Sequence, residues 1–274
     1  MDDVGELPPD LTRVLFALGP RKLVLLEGAS DVAVFREWYR DRRDVVEFFS
    51  LETPQGVSGV KILLARILAQ STSPNPREYG IIDRDFRSDA EVEEALANPN
   101  EHLFILRRYC IENYLLEPVA VAEEVRVLSG ADADAPNPQV MEAELLGLCR
   151  DLHTMMAANW VFSEAVRKKY FQSGHTLPIN SQAVIAQVAR ELGRSEVDAE
   201  AAVSKKEGLI EPLLLILETA YWRINGKHLL FHIHKEFVRS GATRDQFQNL
   251  LARAVKRAGL HEDIKAIIEQ RVLA

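Results

Sequence analysis

The chain of 274 residues carries 33 Lys and Arg against 41 Asp and Glu, a formal net charge of −8, and is 47% hydrophobic and 27% charged. That length suits one large domain or two small ones with a substantial core, and the composition is ordinary for a soluble globular protein. The negative charge argues against nucleic-acid binding through a general basic surface, so any such affinity must come from local patches, a metal ion or a partner.

Residues 1–20 read as an N-terminal arm, with Pro8, Pro9 and Pro20 around an apolar segment, Leu11 to Leu18, that supports one helical turn. A first strand is expected from Lys22 to Leu26. Gly28 then permits a tight turn, Ser30 can cap, and Asp31 suits the first turn of a helix. Val32, Phe35, Trp38 and Tyr39 fall at helical spacing toward a sheet. Val45 to Leu51 reads as a second strand. Gly56 and Gly59 open a helix whose buried stripe is Val60, Leu63, Leu64, Ile67 and Leu68. A loop, STSPNP, leads to a third strand at Tyr79–Ile82, a polar helix near Asp89–Leu96 and a fourth strand at His102–Leu106. Strand alternating with helix predicts parallel βαβ units with right-handed crossovers.

Glu112 to Leu128 reads as a helix bent near Pro118, and the segment GADADAPNP at 130–138 is the expected domain boundary. The sequence therefore divides into an arm (1–20), an α/β domain (21–130) and an all-helical domain (138–274). Helices are expected at about 139–171, 181–192, 196–206, 209–222, 227–240, 243–258 and 262–272. Thr243 with Gln246 forms a capping-box pattern, and Gly193, Gly241 and Gly259 are expected helix stops.

Two apolar runs end abruptly in acid. Leu23 to Leu26 lead into Glu27-Gly28, and Ile81 and Ile82 lead into Asp83-Arg84-Asp85. Continuous apolar runs suit strands buried on both faces of a parallel sheet, and acids at their carboxyl ends project into the crevice where open α/β sheets bind ligands. Three carboxylates there would repel one another unless a cation lay between them. A hard divalent ion with oxygen ligands, Mg²⁺ above all, is the natural partner.

Glu27-Gly28 followed by Ser30-Asp31, with Asp83-x-Asp85 after a later strand, resembles the TOPRIM domain of topoisomerases, primases and OLD-family nucleases. Residues 109–116, YCIENYLL, look like the "diENYLL" segment of a TOPRIM-like family, and residues 225–230, NGKHLL, resemble its distal Gly-Lys motif. His228 stands where that family carries an acid. Members include the nuclease effectors of PARIS-type antiphage systems, and the likeness spans roughly residues 20–130 plus the segment near 226. The resemblance implies a TOPRIM (Rossmann-like) parallel sheet and a metal-dependent endonuclease that hydrolyses nucleic-acid phosphodiester bonds. It further implies Glu27, Asp83, Asp85 and Glu112 as ligands of Mg²⁺ or Mn²⁺. The same four acids and Lys227 would form the catalytic set. RNA or DNA is the expected substrate. By the same likeness the chain would be a toxic RNA-cleaving effector restrained by an ATPase on a separate chain, since no ATP-binding loop is visible here.

Each assignment has a plainer reading. Glu112 and Asp31 also suit helix N-termini by charge, and Gly226-Lys227 also suits a helix start. The histidines at 228, 232 and 234 lack the HExxH arrangement and read as core or surface residues, and Trp160 and Trp222 as core. Arg36, Arg40, Arg42 and Arg43; Arg107 and Arg108; Arg167, Lys168 and Lys169; and Lys205 with Lys206 are basic patches that also read as solvated faces. Cys110 and Cys149 are far apart and favour a reduced, cytoplasmic protein. The N-terminus shows no signal-peptide pattern. The longest apolar stretch, Leu209 to Leu217, is too short to span a bilayer, so no membrane contact is expected. The alternative to an enzyme is a non-catalytic TOPRIM-like metal- or nucleic-acid-binding module within a larger complex, a homo-oligomer included. A topoisomerase would need a nucleophilic tyrosine context, and a primase a zinc or polymerase module, neither of which is visible.

Overall fold

In the computed structural model, which describes residues 7–50, 56–71, 73, 75–98, 102–129, 136–166, 171, 177, 179–238 and 240–274, strand β1 (Lys22–Leu26) lies in the middle of a parallel sheet. Its residues Leu23 to Leu26 are all at least 97% buried, as a strand covered on both faces requires. With β2 (Val46–Ser50), β3 (Glu78–Ile82) and β4 (Leu103–Ile105) it forms a four-stranded sheet in the order β2-β1-β3-β4. Every pairing is parallel: Leu25 stands opposite Phe49 on one side and Gly80 on the other.

The helices between strands follow from local sequence. Helix α1 (Pro9–Ala17) comes first; it runs for nine residues where one turn was expected. The reason is tertiary, because Leu11 and Leu18 join the core beneath the sheet. Helix α2 (Ala29–Trp38) buries Val32, Phe35 and Trp38. Helix α3 (Gly56–Gln70) buries Val60, Leu63, Leu64 and Ile67, with Leu68 partly covered. It sits close against β3: a Cβ at Gly80 would lie 2.9 Å from Val60 Cγ1 and 3.0 Å from Leu103 Cδ1. Helix α4 (Asp89–Ala97) is capped by Ser88 and Glu91. Leu51 and part of the STSPNP loop lie outside the described residues.

The chain divides into two compact units, but elsewhere than at 130–138, most of which lies outside the described residues. The sheet unit comprises Met1–Arg107 and Ala252–Ala274; the helical unit is Arg108–Leu251. The physical reason is that the second sheet face needs a cover beyond α2. Trp38 Nε1 donates to Ala252 O at 3.1 Å, and Lys256 Nζ pairs with Asp41 at 2.7 Å. Arg271 lies 5.4 Å over the Phe104 ring and donates to Leu96 O at 2.9 Å. Residues 252–274, expected with the helical domain, thus belong to the sheet unit.

In the helical unit the expected bent helix from Glu112 is instead a 3-10 turn (Ile111–Tyr114) followed by α5 (Pro118–Leu128), with Pro118 at its first position. Helix α6 (Pro138–Val166) is the central rod, and α5, α7 (Ser181–Leu192) and α8 (Glu196–Ile210) pack on it. The expected helix over 209–222 does not form as one piece. Pro212 starts a 3-10 turn and Ile216 is extended (φ −133°, ψ 148°), so only the short α9 (Leu217–Ala220) follows. Helix α10 (Gly226–Phe237) carries the Gly-Lys motif. Helix α11 (Arg244–Ala258) has the Thr243–Gln246 capping box and runs across the unit boundary, and α12 (Glu262–Ile267) ends in a π turn. Gly193 and Gly259 take positive φ directly after α7 and α11, as expected of helix stops; Gly241 also takes positive φ, but α10 has already ended at Phe237, so it does not stop that helix. No helix among the described residues is long and apolar enough to cross a membrane.

Candidate functional site

The strand order makes the carboxyl ends of β1 and β3 a topological switch point. The chain leaves β1 toward β2 on one side, while β3 and β4 lie on the other. In open α/β sheets the crevice at such a point is where ligands bind. Glu27 directly follows β1 and Asp83 directly follows β3, so parallel pairing brings them together: Glu27 Oε1 accepts the Asp83 backbone N–H at 2.9 Å. Asp83 is 6% exposed.

After Asp83 the strand geometry stops. Asp85 takes φ 52°, the one non-glycine left-handed residue among those described, a conformation that Asp tolerates better than most residues. Arg84 is buried at 2% exposure and ties the turn down. Its guanidinium donates to Arg107 O at 2.9 Å and Arg87 O at 3.3 Å and pairs with Asp89. Arg87 Nη1 in turn donates to Asp83 O at 2.8 Å. The two arginines thus fix the Asp83–Asp85 turn from below, a role that simple strand alternation does not disclose.

Asp31 is a cap. Its Oδ2 accepts Gly28 N–H at 3.1 Å and its Oδ1 accepts Ser30 Oγ–H at 3.2 Å, so Gly28, and not Ser30, is the N-cap residue of α2.

In the helical unit the structure brings Glu112 and Lys227 together. Lys227 Nζ lies 4.0 Å from Glu112 Oε1, the outer limit of an ion pair, with Lys227 half exposed and Glu112 buried. Glu112 Oε2 is buried and has no hydrogen-bond partner among the described residues. The neighbouring Asn113 is fully buried. Its Oδ1 accepts both Cys110 N–H and Gly226 N–H at 3.1 Å, and its Nδ2 donates to Ile224 O at 3.0 Å. Arg108 supports the same turn, donating to Asn113 O at 2.9 Å and pairing with Glu117 at 2.6 Å and Glu218 at 2.5 Å. Asn225 Oδ1 accepts Lys227 N–H at 2.8 Å and caps α10.

The expected ligands are therefore distributed: Glu27, Asp83 and Asp85 in the sheet unit, Glu112 with Lys227 in the helical unit. Among the described residues no group of three or more His, Cys, Asp or Glu side chains is arranged to hold a metal ion. The all-oxygen donors Glu27 and Asp83 still fit Mg²⁺, which is commonly held by one or two carboxylates with water and substrate phosphate completing its shell.

Part of the basic patches is engaged in the fold. Arg36 pairs with Glu47 at 2.5 Å, Arg107 with Glu93 and Asp263, and Lys206 with Glu164. Arg40, Arg42 and Arg43 are exposed, and Arg167, Lys168 and Lys169 lie outside the described residues. Trp160 is only half-buried, with Lys206 Nζ 4.4 Å and Arg223 5.3 Å over its ring. Trp222 is also half-buried. His228 and His232 lie in the interior, as the plainer reading holds. Cys110 and Cys149 are free and buried. Sequence comparison with protein-family models and with characterised proteins gave no match.

Proposed function

We propose that the chain is a TOPRIM-like nuclease that hydrolyses nucleic-acid phosphodiesters with Mg²⁺ or Mn²⁺. The observation carrying this reading is the Glu27–Asp83 juncture at the switch point of a parallel sheet. Glu27 and Asp83 would hold the ion there, with Asp85 on the same turn. When bound, it supplies charge stabilisation to a phosphoryl oxygen and acidifies a water molecule. Glu27 is held by the Asp83 backbone N–H, which orients its carboxylate without consuming the Asp83 side chain. Arg84 and Arg87 keep the turn in place beneath substrate. Within the helical unit Lys227 presents a half-exposed cation beside the buried Glu112, a charge suited to a phosphate group. The defence role, with RNA as substrate and an ATPase partner in control, extends the same reading.

The competing reading is a non-catalytic module that binds metal or nucleic acid. One experiment separates the two. Purified protein is incubated with labelled RNA and DNA, with Mg²⁺, Mn²⁺ or EDTA, alongside Glu27→Gln. Metal-dependent cleavage lost in the variant supports the nuclease; retention of nucleic acid without cleavage under every condition supports the module.

A further inference from the structure

We propose that Asn113 is a positioning residue for the Glu112–Lys227 pair, and that Gly226 is glycine because nothing larger fits against it. The proposal deepens the nuclease reading and rests on it for its kinetic arm. Asn113 sits one peptide after Glu112, and Gly226 one peptide before Lys227. Any displacement where Asn113 meets Gly226 therefore reaches both members of the pair.

The contact is unusually close. A Cβ on Gly226 would lie 2.5 Å from the Asn113 backbone nitrogen, and 2.8 Å and 2.9 Å from its Oδ1 and Cγ. The nearest of these is backbone, so no rotamer change relieves it. Gly226 itself is not among the left-handed glycines, so it is small for proximity and not for conformation.

Chemistry narrows the other side as well. Asn113 Oδ1 accepts two backbone N–H groups, from Cys110 and Gly226, while its Nδ2 donates to Ile224 O. A neutral amide supplies acceptor and donor together. Aspartate would keep the acceptor, lose the donor and add a charge next to Glu112. The side chain thus closes its own turn and locks that turn to the start of α10, across 113 residues of sequence. The pair so held is incomplete in hydrogen bonding, since Glu112 Oε2 has no partner among the described residues. A carboxylate left in that state needs rigid support, because a mobile one would turn to water.

Asn113→Ala, Gly226→Ala, Lys227→Ala and the double variant Asn113→Ala/Lys227→Ala test the proposal. On RNA or DNA with Mn²⁺, Asn113→Ala and Gly226→Ala are each expected to lower kcat about tenfold with KM within about twofold. Lys227→Ala should cost about tenfold in wild type but less than about twofold in the Asn113→Ala background, since residues acting as one unit are non-additive. Fully additive losses, or Asn113→Ala turning over like wild type, would overturn the positioning role. A substrate-free arm stands apart from the nuclease reading: amide exchange at Cys110 and Gly226 should accelerate in Asn113→Ala while α7 keeps its protection. Unchanged exchange at both amides overturns the lock. If wild type cleaves nothing while exchange accelerates as expected, the nuclease reading falls and the lock stands.

Discussion

The two acids at the centre of the functional reading are treated in opposite ways by the parts of the molecule that hold them. In the sheet unit, Glu27 is placed by backbone: parallel neighbours β1 and β3 end side by side, and Asp83 N–H donates to its carboxylate at 2.9 Å. In the helical unit, Glu112 is placed by side chains, through Asn113 and Arg108, and one of its oxygens is buried without a partner among the described residues. A buried unsatisfied acceptor costs roughly 1–3 kcal/mol, so the helical unit spends stability where the sheet unit gains it. A strand end supplies an acid position almost automatically, whereas an acid in a 3-10 turn requires a dedicated set of supporting residues.

The largest expected effect breaks the sheet-unit side. Glu27→Gln keeps volume and an acceptor for Asp83 N–H but removes the charge, and cleavage should fall at least about a hundredfold, ~2.7 kcal/mol in barrier, with circular dichroism unchanged. A variant retaining more than about a tenth of the rate, a difference under ~1.4 kcal/mol, removes Glu27 from the catalytic set.

Metal should act next most strongly, on stability without substrate. Mg²⁺ or Mn²⁺ at a hundredfold excess over its dissociation constant would stabilise the folded state by about 2.7 kcal/mol. Asp83→Asn should melt at or above wild type in EDTA yet gain much less from Mn²⁺. No metal-dependent shift in wild type at millimolar concentration would overturn a metal site formed by the Glu27–Asp83 pair without substrate.

A smaller effect sharpens the helical-unit side through pH. Burial, and then Lys235, hold the His232 pKa below its ordinary value of 6.5, with Asp151 opposing. Above about pH 6.5 the ring is neutral in both states and contributes no pH dependence. As pH falls below that value the unfolded chain takes up a proton that the folded ring refuses, so stability drops by up to ~1.4 kcal/mol per pH unit until the folded pKa is passed. Urea titrations at pH 7 and pH 5.5 on wild type and His232→Gln check this; the variant should lose less on acidification. Equal losses would assign the acid sensitivity to other groups.

The smallest effect compares the two acids directly. Glu112→Gln removes a buried charge with an unpartnered oxygen and gives up only a 4.0 Å pair to a half-exposed lysine, an interaction worth under about 1 kcal/mol. It should melt at or slightly above wild type, by about 1 kcal/mol at most. A clear fall in melting temperature would mean that Glu112 is a structural anchor, and the contrast with Glu27 would collapse.

The sheet was largely legible from the chain because its signals are local. Four apolar runs gave four strands, with β1 at Lys22–Leu26 as read, and alternation with helices gave parallel pairing. Glu27 and Asp83 followed, since acids that end adjacent parallel strands must emerge together. The helix over 209–222 misled because hydrophobic content alone does not register what Pro212 and an extended Ile216 do to the backbone. The arm formed α1 because Leu11 found a core to enter, which a nine-residue segment cannot announce by itself.

What the sequence determined by itself was therefore element type, strand-end acids and helix stops such as Gly193, all set by interactions within a few residues. Only the tertiary structure decided that residues 252–274 return to cover the sheet, that Asp85 is left-handed, and that Asn113 meets Gly226. These depend on groups separated by tens to hundreds of positions. Sheet coverage is decided by which apolar faces remain open, and the Asn113–Gly226 contact by the missing Cβ that lets two backbones approach. Neither leaves a periodic trace in the chain.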